Sequence, residues 1–319
     1  MSAAPEPRTP AAAVAIGVFD GLHLGHQALL ERARRRAGRD AIAVISFDPH
    51  PDLVLAKDFH PQAPLTPIPE KRTRLQAMGI DVLEVLPFTR ELAALEPEEF
   101  VARHVVQPFA PRVLVVGEGF ALGRGRSGNV PRLAAIGERS GFTVEAVPVV
   151  TLDGAPVSST RIREQLAHGD VAAAARCLGR LYDLAGAVVH GDAIGRTLGW
   201  PTANVRLHDE KLLPRLGIYA AWVRIEGEAA RRAGAMSIGT RPTVGGRATT
   251  IEVHLLDYSA DLVGRTLDLE LVEWLRPEAH FANLDELRRA IADDVERVRS
   301  LLVSGTRPPG PAATLPGRV

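Results

Sequence analysis

The first half of the chain alternates short apolar runs with longer stretches whose apolar residues recur at helical spacing. The apolar runs occupy residues 13–18, 41–47, 82–87, 113–116 and 143–150, and the helical stretches include 24–36 and 130–139. Strands that alternate with helices are typical of a parallel sheet covered by helices on both faces. We therefore predict an α/β domain in this half.

The apolar period changes to two after about residue 181. In the run 249–255, Ile251, Val253 and Leu255 fall on one face of a strand and polar residues fall on the other. The same alternation appears in two further runs, through Ala221, Val223 and Ile225 and through Leu267, Leu269 and Leu271. This pattern predicts an antiparallel sheet or a small β-barrel.

The last patterned segment predicts a helix that packs on this barrel. Asn283 can cap its first turn with Glu286 three residues on, and the apolar residues at helical spacing are Leu284, Leu287, Ile291, Val295 and Val298. An alanine-rich helix at 171–177 precedes the change of period. We therefore place one domain at 11–180 and another at 181–303, between tails 1–10 and 304–319 whose composition predicts disorder.

Composition narrows the class of protein. The 319 residues, of which 46% are hydrophobic and 24% charged, suffice for about two domains. We expect a cytoplasmic protein with no membrane partner, because no apolar run reaches the ~18 residues of a membrane span and the start lacks a signal-peptide pattern. Cys177 is the single cysteine, which excludes an intramolecular disulfide and a cysteine-based zinc site.

The charge balance argues against a strongly basic nucleic-acid binder, since 38 basic residues face 38 acidic ones. The run Arg32, Arg34, Arg35 and Arg36 could contact nucleic-acid phosphates, but such runs are more often a solvated helix face. We therefore expect small-molecule substrates, no nucleic-acid partner, and a monomer or weak oligomer.

A glycine-rich turn at 17–26, Gly-Val-Phe-Asp-Gly-Leu-His-Leu-Gly-His, joins a predicted strand to a predicted helix. Such a turn accepts phosphate, because unpaired amides and the helix dipole favour anions. His23 and His26 share one face and could donate hydrogen bonds to phosphate oxygens without a metal. The alternative from spacing alone is a surface turn with two solvated histidines.

Two further segments of the first half carry candidate phosphate ligands. In 157–163, Val-Ser-Ser-Thr-Arg-Ile-Arg, the hydroxyls can cap a helix or bind phosphate, and Arg163 returns to the face of Thr160. An ordinary capped helix is the simpler interpretation. The loop 117–128 carries Arg124 and Arg126, which could close on a triphosphate or be solvated.

The second half has two candidate features of its own. Residues 191–204 pack glycines around Thr202 and Asn204, whose oxygens suit Mg²⁺ shared with nucleotide phosphates. Glu252, on the polar face of its strand, could accept the proton of a hydroxyl that attacks a phosphoryl group. Each feature alone is also typical of an ordinary loop or a solvent-facing strand.

Taken in order, five segments of the first half resemble the adenylyltransferase half of the bacterial bifunctional riboflavin kinase/FAD synthetases: GVFDGLHLGHQALL, ISFDPHP, PFTRELAALEPEEF, VVGEGFALGRGRSGN and VSSTRIR. The resemblance implies a Rossmann-like nucleotidyltransferase fold with the His-x-Gly-His signature. It implies that His23 and His26 stabilise the transition state at the α-phosphate, while Thr160 and Arg163 hold the β- and γ-phosphates. It further assigns to ATP the residues Gly17, Phe19, Asp20, Gly25 and Ser159, and to the flavin Phe120.

The chain departs from this family at one place in the first half. The family usually has Asp or Asn directly before the phenylalanine and a second aromatic residue nearby, whereas Gly119 and Leu122 stand here. Glu118 or main chain could supply the missing contact. The departure leaves open a second hypothesis, a riboflavin kinase whose adenylyltransferase domain is weakened.

Five segments of the second half, again in order, resemble the riboflavin kinase half of the same family: GRTLGWPTANV, GIYA, SIGTRPTV, IEVHLLD and WLRPEAHF. The resemblance implies an antiparallel β-barrel kinase domain with a C-terminal helix. It implies that Thr202 and Asn204 bind the Mg²⁺-nucleotide and that Glu252 is the catalytic base. By the same resemblance, the phosphate-binding turn comprises Gly195, Arg196, Thr197 and Gly199. The residues expected near the flavin are Arg276 and Phe281.

The two resemblances together imply a bifunctional enzyme. ATP would phosphorylate riboflavin to FMN, and a second ATP would adenylylate FMN to FAD with release of pyrophosphate. The expected cofactor is Mg²⁺, with ATP as co-substrate. A third hypothesis, of another class, is a non-enzymatic flavin- or nucleotide-binding module.

Overall fold

The protein is represented by a computed structural model that describes residues 10–55, 63–191, 195, 199–207, 211–243 and 246–304. The chain divides into two compact units, Met1–Ser158 and Ser159–Val319. No helix in these described ranges is long and apolar enough to span a bilayer.

The first unit is built on a five-stranded parallel sheet, as the alternating pattern predicted. Its strand order is β3-β2-β1-β4-β7, with two small hairpins, β5 with β6 and β8 with β9. The strands are β1 Ala13–Ile16, β2 Ile42–Asp48, β3 Val82–Pro87, β4 Val113–Gly117, β5 Ala121–Leu122, β6 Gly128–Asn129, β7 Thr143–Val147, β8 Thr151–Leu152 and β9 Ala155–Pro156.

Helices cover both faces of this sheet. They are α1 Leu24–Ala37, α2 Pro51–Leu55, α3 Ile68–Ala77, α4 Arg90–Ala93, α5 Pro97–Val101, α6 Gln107–Phe109 and α7 Val130–Ser140, with a π-helical turn at Ala102–Val106 and a 3₁₀ turn at Arg124–Arg126. Successive residues of β1 are buried in opposite cores, Val14 in one and Ala15 in the other. This two-sided burial is why the strands read as continuous apolar runs.

Two predicted strands end earlier than their apolar runs. β1 stops at Ile16, not at residue 18, because the chain enters a turn in which Phe19 is left-handed. β7 stops at Val147, not at residue 150, because Pro148 has no amide hydrogen to continue a ladder.

The second unit is a closed antiparallel barrel preceded by two helices and followed by one. The barrel order is β10-β11-β14-β13-β12-β15, and β10 pairs with β15 to close it. The elements are α8 Ser159–His168, α9 Val171–Leu178, β10 Tyr182–Val189, β11 Ala203–Leu207, β12 Gly217–Ile225, β13 Arg231–Thr243, β14 Gly246–Leu255, β15 Thr266–Arg276, α10 Leu284–Arg299 and a π-helical turn at Ser300–Ser304.

The alternation predicted for this barrel is confirmed. The inward residues of β14, Ile251, Val253 and Leu255, are at most 5% exposed, and the alternating residues predicted in β12 and β15 are fully buried. Apolar residues at every second position therefore fill the interior, as closed small barrels require.

The C-terminal helix packs on the barrel as predicted. Asn283 accepts a hydrogen bond from the Glu286 amide at 2.9 Å, and Val298 shares a buried cluster with Ala220 and Leu275 of the barrel strands. The prediction is wrong for Leu284, which is 59% exposed. As the first helical residue, its side chain leans toward the helix N-terminus and overhangs the end of the contact.

The compact units divide earlier in the chain than the expected boundary at 180/181. Helices α8 and α9 lie in the second unit, where the Arg215 amide donates to the Leu166 carbonyl at 2.8 Å. A Cβ at Gly169 would come within 3.1 Å of the Trp274 ring. These contacts join both helices to the barrel unit.

Candidate active sites

The turn after β1 is tightly wound at the carboxyl edge of the parallel sheet. Phe19, Gly21 and Leu22 have φ angles of 53°, 86° and 47°, a left-handed conformation that non-glycine residues adopt rarely and often at functional sites. A Cβ at Gly17 would come within 3.2 Å of the Phe19 ring. The sequence thus folds its glycine turn at the edge where open α/β sheets bind ligands.

Asp20 ties this turn to the segment that precedes α3. Its side chain is 3% exposed, and its two oxygens accept hydrogen bonds from the amides of Thr66 at 3.0 Å and Leu65 at 3.2 Å. The Gly21 amide donates to the Thr66 hydroxyl at 3.1 Å. The carboxylate therefore holds backbone in place, and its predicted contact with ATP stays a prediction.

The structure brings His23 and His26 together. His23 caps α1, its Nδ1 accepting from the His26 amide at 3.4 Å, and the two rings stack with centroids 3.7 Å apart. Because Nδ1 accepts, a neutral His23 carries its proton on Nε2. A Cβ at Gly25 would come within 3.0 Å of the His23 ring, which explains the glycine between the histidines.

His26 is held neutral. Burial lowers the pKa of its imidazole well below 6.5, and the charges of His23 and Lys71 lower the pKa further. Its Nδ1 has no hydrogen-bond partner among the described residues. A neutral imidazole still has one N–H to donate, so at pH 7 the turn offers nitrogen donors.

Open space surrounds Gly119, the position at which the sequence departs from the family pattern. Gly119 is exposed, and a Cβ there would meet nothing within 4 Å. The neighbouring Glu118 accepts a hydrogen bond from the Val149 amide at 3.2 Å. Leu122 is a core residue at 7% exposure, and Phe120 packs partly buried against the same core.

The predicted triphosphate ligands Ser159, Thr160 and Arg163 lie on the first turns of α8. Ile162 and Leu166 of that helix are buried, whereas Thr160 is exposed. Because α8 belongs to the second unit, the predicted joint action of these residues with the histidines stays a prediction.

In the barrel unit, the three side chains predicted for phosphoryl transfer meet, Asn204 on β11, Glu252 on the adjacent β14 and Thr202 just before β11. The Thr202 hydroxyl donates to Oε2 of Glu252 at 3.1 Å. Asn204 of β11 lies directly opposite Glu252 of β14, and Ser237 of β13 lies opposite it on the other side. Glu252 therefore sits between an amide and a hydroxyl, with a second hydroxyl bound to its carboxylate.

Glycines leave room beside these side chains. The Gly195 carbonyl accepts from the Trp200 amide at 2.9 Å, and a Cβ at Gly195 would lie 3.2 Å from the Thr202 hydroxyl. A Cβ at Gly191 would collide with the Asn204 amide. Gly199 has a φ of 96°. The remaining residues predicted for this turn, Arg196 and Thr197, lie outside the described residues.

Arg276 and Phe281 also lie together, with a partner that the sequence did not reveal. The Arg276 guanidinium lies 5.8 Å from the Phe281 ring and binds both carboxylate oxygens of Asp294 on α10, at 2.6 and 2.9 Å. Such bidentate pairs fix the orientation of a guanidinium. Asp294 precedes Val298 by one helical turn, and that shared face was the available signal.

Two other functional candidates were missed. The His254 Nδ1 donates to the Pro201 carbonyl at 2.9 Å, next to Thr202. Lys71 of α3 is 3% exposed, with its ammonium on the Val18 carbonyl at 2.8 Å. Lys71 precedes the buried Leu75 by four residues, so its inward face could have been predicted but its partner could not.

Comparisons with known proteins agree on both halves. A family model described as FAD synthetase matches residues 6–161, and one described as riboflavin kinase matches residues 178–302. Two relatives are named bifunctional riboflavin kinase/FMN adenylyltransferase. The one from Listeria monocytogenes is 34% identical over 90% of this chain and 91% of its own. The one from Escherichia coli is 39% identical over 88% and 89%.

A solved structure shows the same fold. It comes from Streptococcus pneumoniae, has a TM-score of 0.83 at 30% identity, and matches over 91% of this chain and 94% of its own. It is titled a macrolide-efflux protein, a name that differs from those of the sequence relatives.

Proposed function

The chain belongs to the bifunctional riboflavin kinase/FMN adenylyltransferase family, and from this premise we propose that each compact unit supplies the catalytic residues of one transfer from ATP. Riboflavin is first phosphorylated to FMN, and FMN is then adenylylated to FAD. The observation that carries the assignment is that each unit brings together one set of predicted site residues, the stacked His23 and His26 in the first and Thr202, Asn204 and Glu252 in the second.

In the kinase step, the 5′-hydroxyl of riboflavin attacks the γ-phosphorus of ATP. A new O–P bond forms, the bond to ADP breaks, and Glu252 accepts the hydroxyl proton. The Thr202 hydroxyl, 3.1 Å from Oε2, orients that carboxylate. Arg276 and Phe281, already in contact with each other, are proposed for the flavin side.

The residues at this site fit an Mg²⁺ ion. Thr202 and Asn204 offer hydroxyl and amide oxygens of the kind that Mg²⁺ prefers, and glycine at position 191 leaves the Asn204 amide its space. When bound there, Mg²⁺ would neutralise charge on the nucleotide phosphates. The glycine turn around Gly195 and Gly199 is proposed to receive those phosphates, together with Arg196 and Thr197.

In the adenylyl transfer, a phosphate oxygen of FMN attacks the α-phosphorus of a second ATP. The bond to pyrophosphate breaks, and no proton has to be removed because the nucleophile is already an anion. Catalysis then depends on electrostatic stabilisation. His23 would donate from Nε2, the neutral His26 from its own N–H, and the turn amides after Gly17, whose own amide donates to the Ile45 carbonyl at 3.1 Å, would line the phosphate. Ser159, Thr160 and Arg163 remain proposed ligands of the triphosphate.

We further propose a cytoplasmic monomer or weak oligomer that binds no nucleic acid. The buried free thiol of Cys177 fits a reducing compartment. Arg36 and Arg32 of the basic run pair with Glu145 at 2.6 and 3.3 Å, which supports a role within the fold for that run.

One assay of a single preparation tests the proposed function. Purified protein is incubated with ATP and MgCl₂ and either riboflavin or FMN, and flavins and pyrophosphate are quantified over time. The expected result is FMN followed by FAD from riboflavin, and FAD with equimolar pyrophosphate from FMN. FMN alone would favour the kinase-only hypothesis, and tight binding without product would favour the non-enzymatic module.

A further inference from the structure

A buried lysine outside the proposed catalytic set underlies the nucleotide-facing turn. Lys71 of α3 is 3% exposed, and its ammonium donates to the Val18 carbonyl at 2.8 Å and contacts the Ser46 hydroxyl oxygen at 3.1 Å. Burying a lysine is costly unless its donors are satisfied. Burial lowers the pKa of Lys71, while the carboxylates of Asp20 and Asp48 oppose that shift.

The Val18 carbonyl is doubly bound. Besides the Lys71 ammonium, the Ser46 hydroxyl donates to it at 2.9 Å. The side chains that hold it come from α3 and from β2, so two separate elements converge on one peptide group of the turn. A carbonyl bound by a cation and a hydroxyl is strongly polarised.

The polarised peptide leads directly into the left-handed part of the turn. Its other half is the Phe19 amide, and Phe19 has a φ of 53°. In a planar trans peptide the N–H is directed opposite to the carbonyl, so anchoring the carbonyl fixes the direction of the amide. No described residue accepts a hydrogen bond from this amide. Amides of this kind in strand-to-helix turns bind phosphate.

The same turn carries His26, whose ring centroid is 5.1 Å from that of Phe19. A shift of the Val18–Phe19 peptide would therefore move both a backbone donor and the packing of a proposed catalytic histidine. Loosening contacts of this kind changes substrate affinity little but lowers kcat, because stabilisation of the transition state depends on where the hydrogen-bond donors are placed.

We infer that Lys71 is a positioning residue for adenylyl transfer, holding the Val18–Phe19 peptide so that the Phe19 amide and His26 keep the orientation that stabilises the transferring phosphate. The inference rests on the proposed function of the first unit. It adds a residue that does not contact substrate and acts through the main chain of the turn.

The test compares Lys71→Met with wild type, using FMN, ATP and MgCl₂. We expect kcat for FAD formation to fall about 10- to 100-fold, less than or comparable to loss of a direct transition-state donor. KM for FMN and for ATP should change by less than about threefold, since ground-state contacts are kept. The rate of riboflavin phosphorylation on the same preparation should match wild type and serves as the folding control.

Two further variants sharpen the result. Ser46→Ala removes one of the two bonds to the Val18 carbonyl and should lower kcat for FAD formation by about two- to fivefold. It also keeps the inference testable if Lys71→Met does not fold. Lys211→Met, which removes a second lysine that is buried among the described residues, 7% exposed in the second unit, should leave FAD formation unchanged.

An unchanged kcat in Lys71→Met, a loss confined to KM, or wild-type FAD formation in Ser46→Ala would overturn the inference. These outcomes differ from failure of the proposed function, in which the wild-type protein itself makes no FAD from FMN.

Discussion

In the proposed function, the two units act on the same co-substrate, ATP, with opposite kinds of side chain. The turn of the first unit offers imidazoles, with that of His26 held neutral, and backbone amides, and its carboxylate, Asp20, is occupied by two amides. The barrel offers a carboxylate, Glu252, set between Asn204 and Ser237 and bound by a hydroxyl. On the proposed mechanism, this difference follows from the nucleophile of each reaction. A flavin hydroxyl must lose a proton as it attacks, whereas a flavin phosphate has none to lose.

The largest expected effect is on the kinase reaction proposed for the barrel. Glu252→Gln keeps the shape of the side chain but cannot accept a proton, so riboflavin phosphorylation should fall about 10²- to 10⁴-fold. FAD formation from FMN should be unchanged. The matched control is Glu270→Gln, a strand glutamate of β15 that pairs with Arg224 and Arg231 at the surface and should leave both rates intact. Equal loss of both reactions would contradict separate sites.

The next largest expected effect is on the adenylyl transfer proposed for the first unit. His26→Ala removes one neutral donor, and FAD formation from FMN should fall about 10²- to 10³-fold, with FMN formation retained. His104→Ala, in the same unit and packed against Phe100, is the control for loss of an imidazole. Wild-type FAD synthesis by His26→Ala would show that the stacked pair has no part in the transfer.

A smaller effect is expected on riboflavin binding at the proposed flavin side of the barrel. Asp294→Asn removes the charge that holds the Arg276 guanidinium in a bidentate pair, so KM for riboflavin should rise about tenfold with a smaller change in kcat. Asp293→Asn, at the adjacent exposed position, should have no effect. A change in FAD formation from FMN, measured alongside, would mean that the variant acts on more than the barrel site.

The smallest effect concerns the departure from the family. Gly119→Asn restores a polar side chain where a Cβ meets nothing within 4 Å, and one added hydrogen bond should raise kcat/KM for FMN adenylylation about two- to fivefold. Gly141→Asn, at the C-cap of α7, controls for a new asparagine. No gain at position 119 would indicate that main chain already supplies the contact.

Local patterns predicted the elements of both units. The apolar runs located β1 to β4 and the alternating residues located β12, β14 and β15, because burial on one or two faces leaves a period in the sequence. The proximity of the two histidines was also predictable, since they lie three residues apart on one turn. The ends of β1 and β7 were not, because a left-handed turn and a proline override an apolar run.

Contacts between distant residues were predictable only where a resemblance supplied them. The Thr202 hydroxyl and Glu252 are 50 residues apart in sequence, and their spacing has no period. Lys71 and Val18 are 53 apart, and the partner is a main-chain oxygen, which every residue has. A side chain that binds backbone leaves no complementary residue type to recognise. Asp294 differs, because its buried face could be predicted from Val298 one turn later, but its partner Arg276 could not.

The closure of the barrel has a consequence for the order in which the protein is made. All strands of the parallel sheet have been synthesised once Val147 leaves the ribosome, so the first unit can fold while translation continues. The barrel cannot, because its first strand, Tyr182–Val189, pairs with its last, Thr266–Arg276. Until that strand emerges, both neighbouring edges are unpaired and open to mispairing. The adenylyltransferase half is thus able to mature before the half whose product it consumes.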